Sequence, residues 1–260
     1  MESYSSFMNL RLMAELRNKR ENKMKISRKT LFYLTTLLLS LNFNVANAAS
    51  VTIVKDAGTL QNTTALTGFA TTGAMMDGMS LGITYGNGST TTAFWADTVP
   101  ADSGAASWAG GSLSLTGDSY TNSWDLLASG DFGGGISSIL IDAGVGNSVF
   151  DTTFGDDWGT DGSAQGKDFA VVSNSADYDI TATYIDAVGV GGAPAVGDLF
   201  RYLLIDFGQT AYAGTLSFMQ DTDNLEFAGD INPVPVPAAA WLFGSALLGF
   251  FGFSRRKSQA

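Results

Sequence analysis

Residues 199–227 read LFRYLLIDFGQTAYAGTLSFMQDTDNLEF, and this stretch decides the expected fold. It opens with a nearly continuous apolar run over 199–207, which is typical of a strand buried on both faces of a sheet. A turn bracketed by glycines follows. In residues 214–231, Leu216 and Phe218 alternate with Ser217 and Met219, and this pattern predicts a β-hairpin.

The same period-two alternation recurs in short blocks through the middle of the chain, separated by glycine-rich turns. No long helical period is present between residues 49 and 233. We therefore expect an all-β domain, an antiparallel β-sandwich of jelly-roll-like type. A β-solenoid is the alternative, although it should show a fixed repeat period. The predicted strands are 51–54, 81–85, 113–116, 136–141, 169–172, 178–185, 199–207, 215–219 and 225–227.

Composition excludes several classes of chemistry. The chain contains no His and no Cys, so it has no imidazole or thiolate nucleophile, no imidazole or thiolate metal ligand and no disulfide. Residues 49–233 hold 3 basic against 22 acidic residues, a net charge of −19. Such a surface repels the phosphate backbone, so we expect no nucleic-acid partner, and it attracts divalent cations or basic partners.

The N-terminal region is typical of a secretory signal peptide over residues 24–48. A basic segment follows Met24, and an apolar stretch over 31–43 leads to the small residues Ala46 and Ala48, so the mature chain is expected to begin at Ala49. Residues 1–23 precede a complete signal, and we interpret them as a gene-start overcall. A membrane helix over 31–46 is the alternative interpretation.

The C-terminal region, residues 233–260, reads PVPVPAAAWLFGSALLGFFGFSRRKSQA. Its apolar run predicts a transmembrane helix over 238–253, since a helix from about residue 236 rises ~27 Å, close to the thickness of a hydrocarbon core. A basic cluster follows the helix and stops transfer with the 49–232 ectodomain outside the cytoplasm. The residues of this cluster are Arg255, Arg256 and Lys257.

This C-terminal pattern resembles the PEP-CTERM sorting signal, in particular its VPLPA-type variant. The motif residues here are Val234, Pro235, Val236, Pro237 and Ala238. The resemblance implies processing by an exosortase, a membrane protease of Gram-negative bacteria, after export by the Sec route through the inner membrane. It further implies a cell-surface or extracellular-matrix protein of bacteria that make exopolysaccharide and biofilm. A plain membrane anchor without processing is the alternative.

Two acidic clusters are candidate Ca²⁺ sites, because Asp-rich, glycine-rich loops supply the oxygen ligands that this ion prefers. The alternative is that these residues cap turns and keep the surface soluble. The first cluster contains Asp151, Asp156, Asp157, Asp161 and Asp168, and the second contains Asp221, Asp223, Asn224 and Glu226.

Four tryptophans lie in or beside polar, glycine-rich segments and are candidates for stacking on sugar rings. They are Trp95, Trp108, Trp124 and Trp158. The leading interpretation is a non-enzymatic structural or interaction protein of the surface or matrix. A polysaccharide-binding module, with or without Ca²⁺, is the alternative. A carboxylate-based glycoside hydrolase is less favoured, since no pair of carboxylates has a recognisable spacing.

Overall fold

The computed structural model describes residues 50–153, 160, 163, 165–175, 178–208, 211–227 and 230–234. Over these residues the fold is all-β, as predicted, with two short 3₁₀ helices at Gly73–Met76 and Gly144–Gly146. Among the described residues no helix is long and apolar enough to cross a membrane. The predicted signal peptide (24–48) and membrane helix (238–253) lie outside the described residues.

Seventeen strands lie in the described part of the chain. They are β1 (Val51–Asp56), β2 (Gln61–Thr63), β3 (Leu66–Gly68), β4 (Ser80–Tyr85), β5 (Thr90–Phe94), β6 (Ala96–Asp97), β7 (Ser103–Trp108), β8 (Gly111–Thr116), β9 (Trp124–Ala128), β10 (Ile136–Asp142), β11 (Ser148–Asp151), β12 (Ala170–Asn174), β13 (Ile180–Val190), β14 (Leu199–Asp206), β15 (Gly214–Met219), β16 (Asp221–Leu225) and β17 (Asn232–Pro233).

The larger sheet contains eleven strands. Its main path runs β17-β2-β13-β14-β10-β4-β5, and β1, β3, β11 and β16 join this path at its sides. Most neighbours are antiparallel, whereas β1 and β2 both pair with β13 in parallel. Strand β14 lies between β13 and β10, so the apolar run over 199–207 occupies the central position that its sequence predicts.

The smaller sheet contains six antiparallel strands in the order β12-β15-β9-β8-β7-β6. Both sheets are open, and apolar side chains from the two sheets form one continuous core. The arrangement is sandwich-like, as expected. The antiparallel pairing does not fit the β-solenoid alternative, in which successive coils stack in parallel.

Tryptophans lie at the centre of this core. The rings of Trp95 and Trp124 are 5.2 Å apart, and Trp124 stacks on Phe218 at 6.1 Å. Each indole N–H also has a backbone acceptor, Gly73 O for Trp95 at 2.7 Å and Gln220 O for Trp124 at 2.8 Å. These indoles therefore combine apolar burial with satisfied hydrogen bonds, which is what a buried Trp requires.

The predicted hairpin over 214–231 is wrong. Strand β15 pairs with β9 and β12 in the smaller sheet, whereas β16 pairs with β11 and β3 in the larger one. The chain therefore crosses from one sheet to the other at Gln220, the single residue between β15 and β16. One residue cannot form the two-residue turn of a hairpin. The chain therefore continues from β15 into the opposite sheet as β16.

We predict that Trp124→Ala lowers the free energy of unfolding by about 3–5 kcal/mol, because it removes a large side chain that is 0% exposed and a buried hydrogen bond. Chemical denaturation followed by circular dichroism measures the change. The matched control is Leu127→Ala in the same strand, since Leu127 is 53% exposed. Equal losses in the two variants would contradict the assignment of Trp124 to the core.

Candidate functional site

Strand β16 is unusual because it is polar and yet fully buried. Its sequence is DTDNL, and all five residues are buried between β11 and β3. Strand β11 is buried along its whole length as well. In the antiparallel ladder between them, Asp151 lies directly opposite Asp221, and Asp223 lies on the same face two residues further along β16.

This register brings three carboxylates together. Asp151, Asp221 and Asp223 each place a carboxylate oxygen within 4.8 Å of the others. Their side chains are 1%, 2% and 0% exposed. The sequence assigned Asp151 to one acidic cluster and the other two to a second, and the structure joins them into one site. The turn-capping alternative is wrong for these three residues, since they lie inside buried strands.

Hydrogen bonds satisfy only part of the cluster. The hydroxyl of Ser163 lies 2.9 Å from Asp151 Oδ2 and 3.0 Å from Asp223 Oδ2. Asp221 Oδ1 accepts from Ser119 Oγ at 3.0 Å and from the Thr222 N–H at 2.8 Å. Asp151 Oδ1 and Asp223 Oδ1 are buried and have no hydrogen-bond donor among the described residues. A buried acceptor without a donor carries a free-energy cost, so these two oxygens require another partner.

Among the described residues, no basic side chain neutralises the cluster. Residues 49–233 contain only Lys55, Lys167 and Arg201. Lys55 Nζ pairs with Asp168 at 3.1 Å, and the Arg201 guanidinium pairs with Asp142 at 2.9 Å.

Lys167 is the basic residue whose backbone lies nearest to the cluster, but its ammonium group is engaged elsewhere. Nζ donates to the Tyr120 carbonyl and lies 3.8 Å from the centre of the Tyr120 ring. All three basic side chains of the domain are therefore committed to other partners.

Burial is the largest cause that raises the pKa values of all three carboxyls. Burial, followed by the charge of Asp223, raises the pKa of Asp151 to about 9. Burial and the charge of Asp223 also raise the pKa of Asp221 to about 7, and burial raises that of Asp223 to about 7. Without a cation, the cluster therefore retains a proton at neutral pH.

A short segment of main chain covers the cluster. The Lys167 N–H donates to the Asp151 carbonyl at 3.2 Å, and the Asp221 N–H donates to the Lys167 carbonyl at 3.3 Å. A Cβ atom at Gly166 would lie 2.4 Å from Asp151 Oδ1. Glycine is therefore required at position 166 because the main chain packs directly against the carboxylate.

A second network ties the cluster to the core of the sandwich. Gln220 Nε2 donates to the Asp221 carbonyl at 2.7 Å, and Gln220 Oε1 accepts from the Tyr184 hydroxyl. The Tyr184 oxygen in turn accepts from the Phe169 N–H at 2.6 Å. Gln220 also receives the indole hydrogen bond of Trp124. The carboxylates therefore lie beside the point where the chain crosses between the two sheets.

Several predicted site residues fall outside the described part of the chain. They are Asp156, Asp157, Asp161, Trp158, the signal-cleavage residues Ala46, Ala48 and Ala49, the sorting residues Pro235, Val236, Pro237 and Ala238, and the basic residues Arg255, Arg256 and Lys257. Val234 is described, and its N–H donates to the Leu60 carbonyl at 2.9 Å.

The assignment of Trp95 and Trp124 to ligand binding is corrected, because their side chains are 1% and 0% exposed and cannot stack on an external sugar. Trp108 is half-buried and packs against the core. Sequence reasoning missed Ser119 and Ser163, whose hydroxyls bond to the carboxylates. Serines are frequent in this sequence, so no local signal separates these two from the others.

The chemistry of the cluster is that of a hard-cation site. It offers carboxylate and hydroxyl oxygens only, and the chain has no His or Cys that would favour a transition metal. Comparisons with models of protein families, with curated proteins and with solved structures found no match to this chain.

The raised pKa values predict that metal-free protein loses stability as pH rises from about 4 to about 9. In the unfolded chain these carboxyls ionise near 3.8, whereas in the folded chain they hold their protons up to about 7 and 9. Between these limits the folded state binds more protons, so the free energy of unfolding falls with increasing pH.

Thermal melts in the presence of a chelator, recorded from pH 4 to pH 9, measure this fall. Asp151→Asn should make the decline shallower, because it removes the carboxyl with the highest pKa and the repulsion that it exerts. Identical pH profiles for the variant and the parent protein would contradict the assigned electrostatics.

Proposed function

We propose that this protein is exported by the Sec route and sorted to the cell surface or extracellular matrix of a Gram-negative bacterium, where it acts as a non-catalytic structural or interaction protein. The observation that carries the proposal is the C-terminal pattern, in which a proline motif at 234–238 is followed by an apolar run and then by basic residues. An exosortase is the proposed processing enzyme. A signal peptide over residues 24–48 is the proposed export signal.

The end of the β domain supports this proposal. Strand β17 (Asn232–Pro233) pairs with β2, and the Val234 N–H bonds to Leu60 O, so the main chain is held in the larger sheet up to the first residue of the motif. Pro235 is the next residue in the sequence. Cleavage at the proline motif would therefore separate the membrane segment and leave the described β domain complete.

The architecture of the domain supports an extracellular structural role. The chain passes repeatedly between the two open sheets, for example between β9 and β10 and between β14, β15 and β16, and on this ground we propose a jelly-roll-like sandwich. A net charge of −19 over residues 49–233 favours solubility and attracts cations or basic matrix components.

The polysaccharide-binding and glycoside-hydrolase alternatives have less support than the structural role. A polysaccharide-binding surface built on Trp95 and Trp124 is not available, because both rings are in the core. Asp151, Asp221 and Asp223 are at most 2% exposed, so a glycan could not reach them as a hydrolytic pair. We therefore do not carry either alternative forward as the main role.

The experiment that tests the proposal compares intact mass and cell fraction for the parent chain and a Pro235→Ala/Pro237→Ala double variant. We expect the parent protein outside the inner membrane, starting at Ala49 and ending near the proline motif. The double variant should remain unprocessed and membrane-bound, because the extended proline segment needed by the protease is lost.

The matched control is Pro194→Ala, which removes an exposed proline of the β domain far from the motif in sequence. This variant should be processed like the parent chain. If the parent protein is retained whole in the inner membrane, it is an anchored periplasmic domain and the matrix role is wrong.

A further inference from the structure

We propose that Asp151, Asp221 and Asp223 bind one Ca²⁺ ion that links β11, β16, Ser163 and residues 165–167 to one another. All three proposed ligands belong to the β domain. Metal binding therefore does not depend on processing of the C-terminal motif.

Unsatisfied atoms are the first argument for a bound cation. Asp151 and Asp223 are 1% and 0% exposed, and the Oδ1 atom of each is buried with no donor. Ser163 lies within 3.0 Å of both Oδ2 atoms but has a single hydroxyl hydrogen, so it can donate to only one of them at a time. The part of the chain that the structure describes therefore supplies fewer donors than these two carboxylates can accept.

Charge is the second argument. Three carboxylates within 4.8 Å of one another repel strongly once they are ionised in a buried site. Lys55, Lys167 and Arg201, the basic residues of the domain, contact Asp168, Tyr120 and Asp142 instead. A divalent cation supplies the positive charge that the polypeptide places elsewhere.

The donor set selects Ca²⁺ among the common ions. Each carboxylate places one oxygen within 4.8 Å of the others, and the Ser163 hydroxyl adds an oxygen between two of the residues. Ca²⁺ takes carboxylate and other oxygen ligands in flexible geometry, whereas Mg²⁺ demands near-ideal octahedral geometry.

The position of the site assigns the ion a structural role. Asp151 ends β11 and Asp221 begins β16, directly after the crossover at Gln220. The Lys167 main chain bonds to both of these residues, at 3.2 and 3.3 Å. Binding of Ca²⁺ would therefore link the larger sheet, the covering segment and the crossover that leads to the smaller sheet.

The first test measures the melting temperature of the full-length chain, purified in mild detergent, after removal of metals with a chelator. At a free Ca²⁺ concentration about a hundred times the dissociation constant, the melting temperature should rise by roughly 5–10 °C. Mg²⁺ at the same concentration should give a clearly smaller rise. No response to Ca²⁺, or an equal response to Mg²⁺, would overturn the proposal.

The second test locates the ion with Tb³⁺, whose emission is sensitised by a nearby indole. Trp124 donates to Gln220 O, one residue before Asp221, so bound Tb³⁺ should show sensitised emission that Ca²⁺ displaces. Asp223→Asn and Asp151→Asn should each weaken Tb³⁺ and Ca²⁺ binding by ~100-fold, since changes in the outer shell of metal sites already cost 10–100-fold.

The matched control is Asp198→Asn. Asp198 is a buried carboxylate near the cluster, but both of its oxygens already accept hydrogen bonds from Thr160 and Leu199. This variant should keep the Ca²⁺-dependent rise in melting temperature. If Asp198→Asn and Asp223→Asn weaken binding equally, the effect is general damage to the fold and the assigned ligands are wrong. If Asp223→Asn does not fold, Asp151→Asn and the Ca²⁺ response of the parent chain decide the outcome.

Discussion

Burial of three like-charged side chains at one place in a sheet is the constraint on which this structure depends. Asp151 and Asp221 are direct cross-strand neighbours, an arrangement that is destabilising for equal charges unless something compensates. Around them the domain provides hydroxyl donors, a close-packed glycine at position 166 and a covering main-chain segment. The described residues provide no basic side chain there. The carboxylates are therefore closely packed, but their negative charge is not neutralised by a described side chain.

The same place connects the two layers of the fold. Gln220 is the only residue between β15 in the smaller sheet and β16 in the larger one, and its side chain and carbonyl bond to Tyr184 and Trp124. Both aromatic residues belong to the continuous core between the sheets. Changes in the charge state or occupancy of the carboxylates thus act on the junction between the layers. A cation at this point would stabilise the sandwich as a whole.

The sequence predicts the fold class well because long apolar strands have a clear period. The runs over 199–207 and 136–141 became β14 and β10, which are neighbours at the centre of the larger sheet. Strand β7 was missed because its sequence, SGAASW, consists mainly of small residues that show no apolar alternation. Strand β11 was missed because it has only four residues and ends in an aspartate.

The candidate site could be predicted only in part. The acidic residues are visible in the sequence, and so is the suitability of their oxygens for Ca²⁺. That Asp151 meets Asp221 and Asp223 depends on the pairing of β11 with β16, a contact between residues about seventy positions apart in the chain. Such a pairing is set by the topology of the whole sheet, and no local pattern encodes it. The burial of Trp95 and Trp124 likewise depends on which face of each strand meets the other sheet.

The central claim is that the carboxylate cluster holds a calcium ion in the folded protein. The most direct measurement is native mass spectrometry, combined with elemental analysis, of protein isolated under non-denaturing conditions without chelator. One calcium per chain, absent from Asp223→Asn and present in Asp198→Asn, is the predicted result. A parent protein that is folded and carries no metal would contradict the claim.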